Sequence, residues 1–270
     1  MDKRPIGMFD SGVGGLTVLK EFRKKLPNEN IIYLGDTKRF PYGSKSKEAI
    51  IEIAKKCVDF LISKNVKMII IACGTATSQA LDSLINSYDI PILGIINPTV
   101  EYISNLNLKK PRIGVIATSG TIKSGAWERK ILEKIPEAEI INEKAPLLAT
   151  MAETGWTSNK VAEYTIKEYM KCFKNIDILI LGCTHYPMFE NLIHKNLKNN
   201  VKVLNTGTIL AQYTKEMIES KKIGNIGEST LEHIGQFEIY LTDIKTDTDF
   251  LNIAEQFLGE KNIEIKEADF

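Results

Sequence analysis

The chain has 270 residues with 35 Lys and Arg against 34 Asp and Glu, and a net charge of +1 gives no basic excess that would advertise nucleic acid or an anionic membrane surface. Apolar residues at 43% and charged residues at 26% describe a globular chain able to bury its own core, with length for two compact units. The opening MDKRPIGMFD lacks an apolar signal segment and no apolar run approaches the ~20 residues of a membrane span, so a cytoplasmic location is the expectation.

Taken in chain order, short apolar runs alternate with longer segments of helical period. The runs predict strands at Ile6–Phe9, Ile31–Leu34, Met68–Ala72, Ile92–Ile96, Ile113–Ala117, Glu139–Asn142, Ile178–Leu181 and Val201–Leu204. The periodic segments predict helices at Leu16–Leu26, Lys47–Lys64, Thr77–Tyr88, Gly125–Ile135, Asn159–Lys174 and Met188–Leu197. Strands that are apolar throughout suit a sheet covered on both faces, and their alternation with helices makes the fold class α/β with mainly parallel sheets flanked by helices. The C-terminal third gives no clear pattern.

A weak internal repeat divides this series. PIGMFDSGVGG resembles RIGVIATSGT, and MIIIACGTATS resembles ILILGCTHYP. Gly7 precedes Cys73 by 66 positions and Gly114 precedes Cys183 by 69, so two pseudo-symmetric halves are expected, each ending a strand on a cysteine. Ligands of open parallel sheets bind beyond the carboxyl ends of the strands, and halves that face each other would oppose the two thiols across a cleft.

Four cysteines show no C-x-x-C spacing and are expected to be reduced. The three histidines, His185, His194 and His233, lack the paired spacing of a zinc site, so no metal is expected. Cys57 and Cys172 fall within predicted helices and read as small core hydrophobes. Cys73 and Cys183 fall at strand-to-helix turns, where helix N-terminal amides would lower a thiol's pKa. Thr75 and Thr184 follow them and offer hydroxyls to a carboxylate. His185 beside Cys183, and Asp10 at the end of the first strand, add titratable partners. The FDSGVGG turn could hold an anion, but it lacks the third glycine of a dinucleotide loop. A Cys-His hydrolase would leave Cys73 unexplained. Two opposed thiols suit the inversion of a stereocentre, in which one takes a proton from one face and the other delivers a proton to the opposite face.

FDSGVGGLTV, YLGDTKRFPYGSKS, ACGTATSQAL, IGVIATSGTIKSGAW, PLLATMAETGW and LGCTHYPM, in this order, resemble the bacterial glutamate racemases of the aspartate/glutamate racemase superfamily. The resemblance implies cofactor-independent interconversion of L- and D-glutamate for peptidoglycan, in a cleft between two α/β domains, by a cytoplasmic homodimer. One domain would comprise residues 1–96 with 205–270, and the other residues 97–204. Carried over by motif, Cys73 and Cys183 transfer protons with Asp10 and His185 in support. Ser11, Pro41, Tyr42, Gly43, Gly74, Thr75, Thr118, Thr121 and Thr184 resemble the substrate shell, with Asp36 and Glu153 as further acidic candidates. The chain departs from the family pattern at Gly74, where asparagine is usual, and at Asn97, where glutamate is usual. If Asn97 lies by the cleft, it would replace the amide missing at Gly74. A racemase for aspartate or a broader range of amino acids, and a racemase-like protein that only binds its ligand, are the competing readings.

Overall fold

Two parallel sheets organise the computed structural model, which describes residues 2–198, 200–221, 235–244 and 248–270. The chain starts with β1 (Ile6–Asp10), α1 (Gly15–Lys25), β2 (Ile31–Gly35), α2 (Lys47–Ser63), β3 (Met68–Ile71), α3 (Gly74–Ile85), β4 (Ile92–Gly94) and α4 (Ile96–Ser104). It continues through β5 (Arg112–Ala117), α5 (Ser119–Lys123), α6 (Ala126–Lys134), β6 (Glu139–Lys144), α7 (Pro146–Glu153), α8 (Lys160–Tyr169), β7 (Ile178–Leu181), α9 (Glu190–Lys195) and β8 (Lys202–Asn205). The last elements are α10 (Thr206–Lys221), β9 (Phe237–Leu241), α11 (Thr248–Leu258) and β10 (Ile265–Glu267).

The first sheet has the order β10-β9-β2-β1-β3-β4 and the second β6-β5-β7-β8. The final strands therefore return to the first sheet, where β9 extends it beside β2 with Ile31 opposite Phe237. The repeat reappears as matched pairs. β1 pairs with β3 as β5 pairs with β7, so Gly7 lies opposite Ile69 and Gly114 opposite Leu179. A Cβ on Gly7 would press on Val66 and one on Gly114 on Phe173 and Ile176. Both glycines thus admit the segment that leads into the neighbouring strand.

One apolar core joins the inner faces of both sheets: Met8, Met68 and Ile70 of the first pack in the same cluster as Ile113, Val115 and Ile178 of the second, with Trp127 among them. The outer faces carry separate clusters, Ile69 with Ala54, Val58 and Leu84 on one and Leu179 with Leu148 and Ile166 on the other. Each fully buried Ile or Leu contributes about 1.5–3 kcal/mol, so burial on both faces explains the wholly apolar strands.

Several boundaries differ from expectation for physical reasons. The predicted strand Ile92–Ile96 stops at Gly94, and Ile96 opens α4. Ile95 and Ile96 are buried either way, so an apolar run cannot distinguish the two states, and Pro98 is tolerated because the first helical turn has no partner for its missing N–H. α3 begins at Gly74 rather than Thr77, with Cys73 at the N-cap position. The helix predicted at Met188–Leu197 is present but shorter, as α9 at Glu190–Lys195, with a 3-10 turn at Tyr186–Phe189 before it. Cys172 lies in a 3-10 turn after α8 and is exposed, not packed as a core residue. Among the described residues, no helix is long and apolar enough to cross a membrane.

Candidate active site

The carboxyl ends of the central strands converge. β1 ends on Asp10, β5 leads into Thr118, and Cys73 and Cys183 each follow the last residue of their strand by two positions. A cavity of about 160 Å³ opens between them. The first sheet contributes Ser11, Phe40, Pro41, Tyr42, Gly43, Ser44, Cys73, Gly74 and Thr75 to its wall. The second contributes Thr118, Ser119, Pro146, Ala149, Thr150, Cys183, Thr184 and His185. A larger cavity of about 540 Å³, walled by residues of α4, β8 and α10, contains neither cysteine nor histidine.

Asp10 is fully buried and ties the two halves together. Its Oδ1 accepts from the Gly12 amide at 3.2 Å and its Oδ2 from the Thr184 hydroxyl at 3.1 Å. Burial pushes this carboxyl up to about 6, against the pull of His185, the Gly12 amide and the Thr184 hydroxyl; the Glu153 charge adds to the rise. The next contact across the halves runs through Glu153. Its Oε1 accepts from the Val13 amide at 2.9 Å and meets His185 Nε2 at 2.5 Å. His185 Nδ1 lies 3.5 Å from Cys183 Sγ. Burial opposes a charged imidazole here, but the charge and hydrogen bond of Cys183, together with Glu153, hold His185 well above its ordinary value. His185 thus bridges the Cys183 sulfur and the Glu153 carboxyl in surroundings that favour its charged form.

Cys73 has a different environment. Burial drives its thiol well above the ordinary value; the Asp10 and Cys183 charges add to this, while the Ala76 and Thr75 amides oppose it. The expected lowering of this thiol is thus overturned, because desolvation outweighs the helix N-terminus. Cys57 is also buried, with its thiol driven up by burial and by Asp36, and Tyr42 Oη lies 3.8 Å from its sulfur.

The remaining candidates take distinct places. Thr75, Thr118 and Thr121 form a buried triangle of hydroxyls with edges of 2.8, 2.9 and 3.2 Å, linking α3 to α5 across the halves. Thr121 stands behind the other two and does not line the cavity. Asp36 also stands behind the wall: it accepts from Tyr42 Oη at 2.6 Å, from Arg39 at 2.7 Å and from Thr242 at 2.8 Å, and so holds the Pro41–Gly43 turn from behind. Asn97 is exposed on α4 and is not part of the cavity wall, so it does not replace an amide there. His194 is exposed on α9, and His233 lies outside the described residues. Among the described residues, no group of three or more His, Cys, Asp and Glu could hold a metal ion. The motif reading missed Phe40, Ser44, Ser119, Pro146, Ala149 and Thr150. Pro146 and Thr150 belong to α7, whose first helical residue is a proline, a start signal legible in PLLATMAETGW.

Residues 16–214 match the Asp/Glu/hydantoin racemase family. The chain is 37% identical over 263 residues to the glutamate racemase of Geobacter metallireducens, covering 97% of this chain and 95% of that one. Among solved structures, the glutamate racemase of Francisella tularensis in complex with D-glutamate superposes with a TM-score of 0.87 at 37% identity, covering 100% of this chain and 98% of that one. Glutamate racemase isoform RacE1 from Bacillus anthracis superposes with a TM-score of 0.92 at 32% identity, covering 100% and 99%. With a matched family profile over most of its length and a cysteine from each sheet lining one cavity at the strand ends, the chain belongs to the Asp/Glu/hydantoin racemase family.

Proposed function

We propose that this chain interconverts L- and D-glutamate by proton transfer between Cys73 and Cys183, without a cofactor, and so supplies D-glutamate for peptidoglycan. The observation that carries the reading is that the two thiols, at equivalent strand ends of the two sheets, line one small cavity. With the substrate Cα between the sulfurs, one thiolate takes the Cα proton and becomes a thiol. The electron pair left on carbon then takes the proton of the other thiol, which becomes a thiolate. The stereocentre has inverted, and the reverse reaction exchanges the roles.

Surrounding groups fit these steps. The His185 cation balances a thiolate on Cys183, and Asp10 stands behind the Cys73 wall at a pKa that lets it hold or release a proton near neutrality. The hydroxyls of Ser11, Thr75, Thr118 and Thr184, and the turn holding Tyr42 and Gly43, are the groups we assign to the substrate's carboxylates and ammonium. Residues 1–96 with 205–270 form one domain in this reading and residues 97–204 the other, supported by the sheets to which their strands belong. A homodimer in the cytoplasm completes it.

Incubation with L-glutamate in deuterium oxide, following Cα exchange and optical rotation, tests the function. Racemisation is the expected result. Turnover of aspartate in place of glutamate would move the substrate assignment while keeping the thiols, and silence across amino acids would sink the enzymatic reading.

A further inference from the structure

Resting on the racemase reading, we propose that Gly74 is a positioning residue that sets how far apart the two thiols stand. Gly74 is one of four glycines of the first half, with Gly12, Gly14 and Gly43, that face the second half at close range. A Cβ on Gly12 would run into the Glu153 carboxylate, one on Gly14 would lie 2.5 Å from Thr184 Oγ1, and one on Gly74 would run into the carbonyl oxygen of Gly182. At Gly12 and Gly14 the obstacle is a side chain, which can rotate. At Gly74 it is backbone, and that backbone is anchored, because the Gly182 amide donates to Ile116 O at 2.8 Å across the second sheet.

Gly74 is the first residue of α3, and its φ lies outside the left-handed region, so the backbone conformation does not call for glycine. A helical position ordinarily favours alanine. Close approach is the remaining reason. The consequence falls on the chemistry because Gly74 directly follows Cys73 and Gly182 directly precedes Cys183. The contact between these glycines is therefore the spacer between the proton-transfer residues. A methyl group at position 74 must drive the Gly182 carbonyl back by about 1 Å, a misplacement of a size that costs on the order of 10²-fold in rate.

The same contact accounts for the departure noted at this position. A Cβ on residue 74 already meets the Gly182 carbonyl oxygen, so Gly74 acts through the approach of the halves.

The test is Gly74→Ala, examined by crystal structure and by kinetics on Cα-protiated and Cα-deuterated glutamate. The expected structure has the Gly182 oxygen displaced away from α3. The expected kinetics are a kcat lower by roughly 10²-fold and a primary isotope effect larger than that of the wild type, since transfer across a wider gap becomes the slow step. A variant whose new methyl group is accommodated with the Gly182 oxygen in its original place overturns the proposal. So does a lower kcat with an unchanged isotope effect, because loss of folded protein alone would give that result. If the wild type leaves both enantiomers of glutamate untouched, the racemase reading fails, and the displacement of the Gly182 oxygen still decides whether Gly74 spaces the halves.

Discussion

The turn after β3 and the turn after β7 occupy equivalent places, yet they handle charge differently. After β3, Cys73 occupies the N-cap position of the twelve-residue α3, where the Ala76 and Thr75 amides pull against the rise that burial imposes on its thiol. After β7, Cys183 leads through a 3-10 turn into the six-residue α9, and the nearest positive charge is the His185 side chain. A full helix offers a fixed dipole, whereas an imidazole offers a proton that can leave. The duplicated backbone brings a sulfur from each sheet to one cavity, and unshared side chains give one thiol a raised pKa at a helix start and the other a neighbouring histidine whose charged form is favoured.

Breaking this comparison outright requires removing the sulfurs. Cys73→Ser and Cys183→Ser are each expected to lower racemisation by about 10³-fold or more, since a hydroxyl is a far weaker acid and base than a thiol. Polarimetry on both enantiomers measures this, and a serine variant at either position that retains wild-type rates would dissolve the two-thiol scheme. His185→Asn sharpens the contrast by making the second turn as poor in cations as the first. The expected loss in kcat/KM is on the order of 10²-fold. The alkaline limb of the pH profile should also move, because no imidazolium remains to lose its proton; an unmoved limb would show that His185 does not charge the Cys183 side.

Asp10→Asn probes the groove between the two turns through stability. The carboxyl rises from 3.8 in the unfolded chain to about 6 in the folded one, so the native state binds the extra proton and loses stability as pH climbs through that window. The full penalty, roughly 3 kcal/mol, stands above about pH 6. Thermal melts should therefore show the asparagine variant more stable than wild type at pH 7.5 and equal to it near pH 4. Equal melting points at both pH values would mean that burial does not strain this carboxyl. The smallest effect is expected at Asn97→Ala: the side chain is exposed and away from the wall, so glutamate kinetics should stay within about twofold of wild type, the usual range for such surface changes. A marked rise in KM would return Asn97 to the site.

The legibility of this molecule followed the physics of each signal. Strand cores such as Ile178–Leu181 were predictable because burial on both faces demands unbroken apolar runs. Cys73 and Cys183 could be singled out because a thiol directly after such a run must lie at the sheet's carboxyl edge. His185 followed by adjacency. The link from Glu153 to both His185 and Val13 was beyond reading, since its partners lie 32 and 140 positions away. Phe40 and Ala149 line the cavity as apolar residues indistinguishable from any others in the sequence. The expected lowering of the Cys73 thiol failed because sequence displays the helix start but not the depth of burial.

The pairing of β2 with β9 has a consequence in time. Ile31 must wait for Phe237, about 200 residues later in synthesis, before the outer edge of its strand is covered. At about 5–20 residues per second, a nascent chain spends roughly 10–40 s with that edge open. An uncovered apolar strand is a template for stray pairing, so the return of the chain's last strands to its first sheet makes the protein's earliest folded segment its longest-exposed one.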